Sequence, residues 1–157
     1  MAGVIHNAMQ FARAPFLSLR PEDFESVWKS IVLTAVNTSH QAVPRLIARG
    51  GGSLIFSGAS GSRRAGAQFS AFSSAKFALR GLCQSLAREH GTDGVHVAHV
   101  VIDGLIDSDR TRERFGDADG TPRIAAAALA ELYWQLFHQP ANAWTHEIDV
   151  RPADIAP

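Results

Sequence analysis

The stretch from Gly51 to Ile106 constrains this chain more than any other. Residues 53–57, Ser-Leu-Ile-Phe-Ser, read as a short strand apolar enough to be buried on both faces. A glycine and serine turn follows, Gly58-Ala-Ser-Gly-Ser62, and then a helix entered through Ala71-Phe-Ser-Ser-Ala-Lys76. Residues 95–102, Val-His-Val-Ala-His-Val-Val-Ile, form a second buried strand that ends on Asp103-Gly104. Strand, loop, helix, strand is the crossover unit of a parallel sheet, and ligands of such sheets sit beyond the carboxyl ends of the strands. Both polar turns lie at those ends, so any chemistry belongs between them.

The flanking segments extend the pattern. Residues 3–6 are a short apolar stub, read as a frayed end. Ser18 offers a helix N-cap, with Pro21, Glu22 and Asp23 in the first turn. Phe24, Val27, Trp28, Ile31, Val32, Ala35 and Val36 recur at helical spacing, which predicts a helix to about Ala48 with a bend at Pro44. Gly50-Gly-Gly52 stops it, and Gly91-Thr-Asp-Gly94 closes the next helix, 71–90. Residues 108–120 are charged and aperiodic, which predicts a mobile surface segment with one helical turn; their arginines, Arg110, Arg112 and Arg114, alternate with acids and read as solvated. A third helix is predicted from Thr121-Pro122 to about Gln139, and a last strand over 143–150.

Composition narrows the class. At 157 residues, 46% hydrophobic and 19% charged, the chain is the size of one soluble globular domain. A formal net charge of zero gives no electrostatic footprint for nucleic acid or an anionic membrane, so neither is an expected partner. No apolar run reaches the roughly 18 to 20 residues that span a bilayer. The single cysteine, Cys83, fits a reducing compartment, and the start lacks the pattern of a signal peptide, so a cytoplasmic location is expected. The histidines show no metal-ligand spacing: His96 and His99 point to opposite faces of one strand, and no third ligand is evident. No Gly-x-Ser-x-Gly elbow marks a nucleophile.

In order and spacing these residues resemble the short-chain dehydrogenase/reductase family. Asn7-Ala-Met9 is similar to the family's Asn-Ala-Gly, and Phe72-Ser-Ser-Ala-Lys76 occupies its Tyr-x-x-x-Lys position. Asp103-Gly-Leu-Ile106-Asp-Ser108 matches its Pro-Gly-x-Ile-x-Thr, and Trp144 to Pro152 its closing strand. The resemblance implies an incomplete Rossmann-like, doubly wound α/β parallel sheet with long flanking helices, in one partial domain over 1–157, the N-terminal half of the family's fold being absent. It also implies NAD(P) as cofactor, with Asn7, Lys76, Asp103, Gly104, Ile106 and Ser108 at cofactor-binding positions.

Two departures accompany the resemblance. The family's glycine-rich turn, which sets backbone N–H groups and a helix N-terminus against the cofactor pyrophosphate, should precede Asn7. Gly58-x-x-Gly61 is a poor substitute, because its helix begins about ten residues later. The catalytic set is also depleted. The resemblance implies a Tyr as general acid/base, a Lys that lowers its pKa, a Ser that orients the carbonyl and an Asn that anchors water. Here the Tyr position is Phe72, the Ser position Ala59, and the Asn position falls near Ile31, leaving only Lys76. Ser60 is a weak substitute for the serine, since it also reads as bonding its own turn. Ser73 and Ser74 read as first-turn polar residues. His99 points toward the site and reads as a hydrogen-bonded core histidine.

The expected function is therefore an NAD(P)-dependent oxidoreductase by descent, represented by its substrate-side half, with weak cofactor binding and little or no turnover. The alternatives are a non-catalytic dimerisation module and a truncated product of a longer gene. Without the family's opening half, one sheet face and one strand edge should be exposed. The helices 21–48 and 71–90 correspond to those that family dimers pack together, so a homo-oligomer or pairing with a full-length relative is expected. The small-molecule substrate is not legible.

Overall fold

The computed structural model describes residues 2–116 and 122–154. Its centre is a four-stranded parallel sheet in the order β1-β2-β3-β6, formed by β1 (Gly3–His6), β2 (Gly52–Ser57), β3 (Val95–Ile102) and β6 (Glu147–Val150). Leu54 lies beside Val97 and Val100 beside Ile148, all running the same way. The stub at the N-terminus is thus a strand and not a frayed end: Gly3 to His6 pair in register with Ser53 to Phe56. Val4 and His6 face the core, which gives the stub enough burial to be held.

One face of the sheet carries the long helices. α1 (Pro21–Trp28) and α2 (Thr34–Ala48) are joined without a break by a π turn, Lys29–Leu33. The run continues through Pro44. Its cap is not Ser18, whose hydroxyl donates to the Pro15 carbonyl at 2.8 Å, but Arg20, whose N–H donates to the Asp23 carboxylate at 2.8 Å. An acid three residues into a helix satisfies the free N–H one turn earlier. α3 (Ser70–His90) packs beside them, and Val27, Ile31, Ala35, Leu46, Phe72, Ala75 and Leu79 meet Leu54, Phe56, Val95 and Val97 in the larger core. Three glycines make the reversal before β2. Gly51 and Gly52 have φ of 120° and 154°, and a Cβ on Gly51 would stand 2.7 Å from the Gly94 carbonyl oxygen.

The opposite face was expected to be bare. It is covered by α5 (Ala126–Phe137), whose Leu129 and Leu136 pack on Ile55, Ala98 and Val100. The helix starts at Ala126 and not at Thr121-Pro122, because residues 123–125 form a strand, β5, parallel to β4 (Leu105–Asp107). Thr121 itself lies outside the described residues. The last strand begins at Glu147, after a 3-10 turn at Ala141–Ala143. The charged segment holds a two-turn helix, α4 (Asp109–Phe115), capped by Ser108, whose hydroxyl accepts from the Thr111 N–H at 3.3 Å; residues 117–120 are outside the described set. What remains open is the outer edge of β1, where Ile5 is 41% exposed. No helix among the described residues is long and apolar enough to cross a membrane.

Candidate active site

The turn after β2 and the first turns of α3 meet at the carboxyl end of the sheet. Ala59 leads into a 3-10 turn, Ser60–Ser62, and its N–H donates to the Ser62 hydroxyl at 3.2 Å. A Cβ on Gly61 would stand 3.2 Å from the Phe72 ring, so this turn backs directly onto that side chain. Phe72 is 6% exposed and packs against Phe11, ring centroids 5.3 Å apart. Phe11 in turn meets Phe69 at 5.8 Å and Phe115 at 5.5 Å, and Arg114 lies over its ring. Aromatic residues from three segments, the loop after β1, the start of α3 and the end of α4, therefore cluster at the position where a hydroxyl was sought. The arginine of this cluster is not simply solvated, as the alternating charges had suggested, because it covers Phe11 and Phe115.

Lys76 lies one turn further along α3. Its side chain is 2% exposed, and Nζ donates to the Ser57 carbonyl at 2.8 Å and sits 5.8 Å from the Phe72 ring centroid. Removal from water pushes its pKa down to about 8, since a desolvated ammonium loses hydration that one carbonyl does not replace. Ser57 is bound from both faces: its hydroxyl is 2.6 Å from that of Tyr133, reaching from α5. Burial pushes the Tyr133 pKa up. On the face that carries α3, His99 is fully buried and bonds through Nδ1 to Glu147 at 2.9 Å, while Arg80 grips the same carboxylate with two bonds of 2.7 Å. The Arg80 bonds above all hold the Glu147 carboxyl down to about 2, and burial keeps the imidazole pKa of His99 low. The other ring nitrogen of His99 abuts Gly58.

The sequence-selected residues are distributed over several elements. Ala59, Phe72 and Lys76 gather around the end of β2. Ile31, within the π turn, is fully buried, and beside it Thr34 donates to the Ser30 carbonyl at 2.6 Å and meets His6 Nε2 at 3.0 Å. Asn7 is exposed after β1. Ser60 and Asp103 line a separate cleft, where Asp103 accepts from Arg64 at 2.8 Å. Gly104 packs against Pro152 and Ile124, Ile106 pairs within β4, and Ser108 caps α4. Lys76, the one cation of this set, is enclosed and donates to the Ser57 carbonyl. Glu147, Arg80, Tyr133 and Phe11 were missed. The alternation of 143–150 could have set Glu147 inward, but nothing in sequence pairs it with an arginine on a distant helix.

Known proteins place this arrangement in context. The profile of short chain dehydrogenases matches residues 1–119. A short-chain type dehydrogenase/reductase from Sinorhizobium fredii is 28% identical over 113 residues, covering 71% of this chain and 44% of that one. A short-chain dehydrogenase of known structure from Rhodopseudomonas palustris is 34% identical, with a TM-score of 0.78 over 96% of this chain and 61% of that one. A serine dehydrogenase solved with NADP+ has a TM-score of 0.89 at 17% identity, over all of this chain and 67% of that one, a likeness of fold. The chain thus spans under half the length of its curated relative and less than two thirds of the Rhodopseudomonas protein.

Proposed function

The chain belongs to the short-chain dehydrogenase family, and from that premise we propose that it is the substrate-facing part of an NAD(P)-dependent oxidoreductase in which tyrosine-driven carbonyl reduction does not operate. The observation that carries this is Phe72, four residues before Lys76 and packed among Phe11, Gly61 and the Lys76 stem, with no proton to give. Reducing a carbonyl requires a proton as hydride arrives, and a positioned acid contributes roughly 10²- to 10⁴-fold. Ala59 offers no hydroxyl to orient a carbonyl. Tyr133 is no stand-in, since its hydroxyl is tied to Ser57 on the opposite face of the sheet.

Cofactor binding by these 157 residues should be weak. No turn among the described residues closes glycine N–H groups onto a helix N-terminus: between Gly61 and α3 stand residues 62–69. NADPH fluorescence titration of the 157-residue chain should show no saturable binding in the micromolar range. Micromolar binding would overturn the proposal. In any longer form that does bind cofactor, Phe72→Tyr should raise carbonyl reduction by roughly 10²-fold or more. A parent already as active as that variant would remove Phe72 from its assigned role.

A second reading, pairing through the long helices, is favoured by a groove of about 620 Å³ between α2 and α3, lined by Val36, Val43, Ile47, Leu82 and Leu86 among others. Its occupant in this reading is a second copy of the chain. His40, Glu89 and His90 also line this groove, giving a two-fold partner polar groups to meet.

A further inference from the structure

Beyond the ends of β3 and β6, a cleft of about 390 Å³ gathers Ser60, Arg63, Arg64, Asp103, Asp149 and Arg151. Three guanidinium groups face two carboxylates, so one positive charge is left over. The pairing is also end-on. Arg64 donates through Nη2 to Asp103 at 2.8 Å, and Arg63 donates through Nη1 to Asp149. Arg151 reaches the same Asp149 oxygen through Nη2 at 3.4 Å, while its Nη1 stands 3.8 Å from Asp103. That Nη1 is buried and has no hydrogen-bond partner among the described residues. Each guanidinium carries five N–H donors in a fixed fork, which matches two oxygens of a carboxylate or of a phosphate. Arg63 and Arg64 leave much of their forks open, their side chains being 47% and 54% exposed.

A solvated ion-pair network accounts for the exposed arginines but not for the enclosed donor of Arg151, which an ordinary surface pair would leave to water. Position adds the rest: the cleft lies where the strands of a parallel sheet end, the side on which such sheets take ligands. The enclosing residues come from the connections after β2 and β3 and from the end of β6 with the residue after it, and all of them line the same space.

We propose that this cleft binds the oxyanion of a small organic ligand, a carboxylate or a phosphate, held by Arg63, Arg64 and Arg151 with the Ser60 hydroxyl at its rim. Asp103 and Asp149 aim the forks and keep the unliganded arginines from repelling one another. The inference stands apart from cofactor use, since it is read by binding alone and holds or fails whether or not NADPH binds.

The test is calorimetric titration of the 157-residue chain with malonate and with inorganic phosphate, ionic strength matched throughout with sodium chloride. One saturable site per chain is expected for at least one of the two. The tighter of them identifies the source of the oxyanion. Arg64→Gln and Arg151→Gln should each weaken it about tenfold or more, as loss of a charge-assisted bond does, and Arg45→Gln on α2 should leave it unchanged. If Arg151→Gln fails to fold by circular dichroism, the half-exposed Arg64→Gln decides alone. Heats no larger than those of chloride, or full binding by the Arg64 variant, would overturn the proposal.

Discussion

Replacing Lys76 by methionine should make this protein more stable at neutral pH, although the change deletes a buried hydrogen bond. Lys76 is 2% exposed, its ammonium donates among the described residues only to the Ser57 carbonyl at 2.8 Å, and desolvation lowers its pKa from 10.5 to about 8. At 1.36 kcal/mol per unit, holding that charge in the folded state at pH 7 destabilises it by about 3 kcal/mol. Methionine has a similar straight stem and can follow the same path beside Phe72. Against the gain stands the carbonyl of Ser57 left without its donor, about 1 kcal/mol. The variant should therefore be about 2 kcal/mol more stable at pH 7. The pH dependence separates this from a simple packing effect. With the folded pKa below the unfolded one, the unfolded chain binds more protons between about pH 8 and 10.5, so wild-type stability rises with pH through that window. From pH 7 to pH 9.5 the contribution of this group alone improves by about 2 kcal/mol, which brings the wild type level with the variant. Urea denaturation of both proteins at the two pH values reads the difference directly. A variant less stable than wild type at pH 7, or a gap that does not move with pH, would refute the reasoning.

Two further outcomes follow from packing. Gly58→Ala would put a methyl group into the His99 ring, which is itself fixed by Glu147, so a loss of about 1–3 kcal/mol is expected in denaturant unfolding; an unchanged midpoint would mean that the ring is free to move. Light scattering after size exclusion should find the chain as a dimer, and Ile47→Glu in the α2–α3 groove should make it a monomer. A monomeric wild type at tens of micromolar would end the pairing proposal.

Much of this architecture could be read from residues alone, for reasons that differ by element. β3 is apolar apart from His96 and His99 and ends at Asp103-Gly104, so 95–102 was bounded without reference to anything distant. Helix 71–90 was bounded by Gly91 and by its own periodicity, within one residue of the observed Ser70–His90. Errors arose wherever a segment is held by tertiary contact. Residues 3–6 are too few to signal a strand and gain their structure from β2. The β4–β5 pair consists of two three-residue strands whose only ladder partner is each other, and neither run has a period long enough to detect. The burial of Lys76 was invisible for the same reason. A lysine on a helix reads as solvated, and only its burial beside Phe72 in the folded chain shows that this one is not.

The two departures at the site are linked through that lysine. A tyrosine at position 72 would set a polar hydroxyl close to the ammonium, and the pair could share the burial. With phenylalanine there, the nearest ring offers only its π face at 5.8 Å, and Phe11 packs on it in the manner of any core aromatic. The amine is left with the one acceptor within reach, the carbonyl that ends β2, and its pKa falls to about 8 as a consequence. A lysine kept under those conditions adds nothing to fold stability. Its cost to folding makes it the residue whose replacement distinguishes an inherited relic from a group still in use: Lys76→Met stabilises the protein in both cases, but only in the second does it also abolish a measurable binding or turnover.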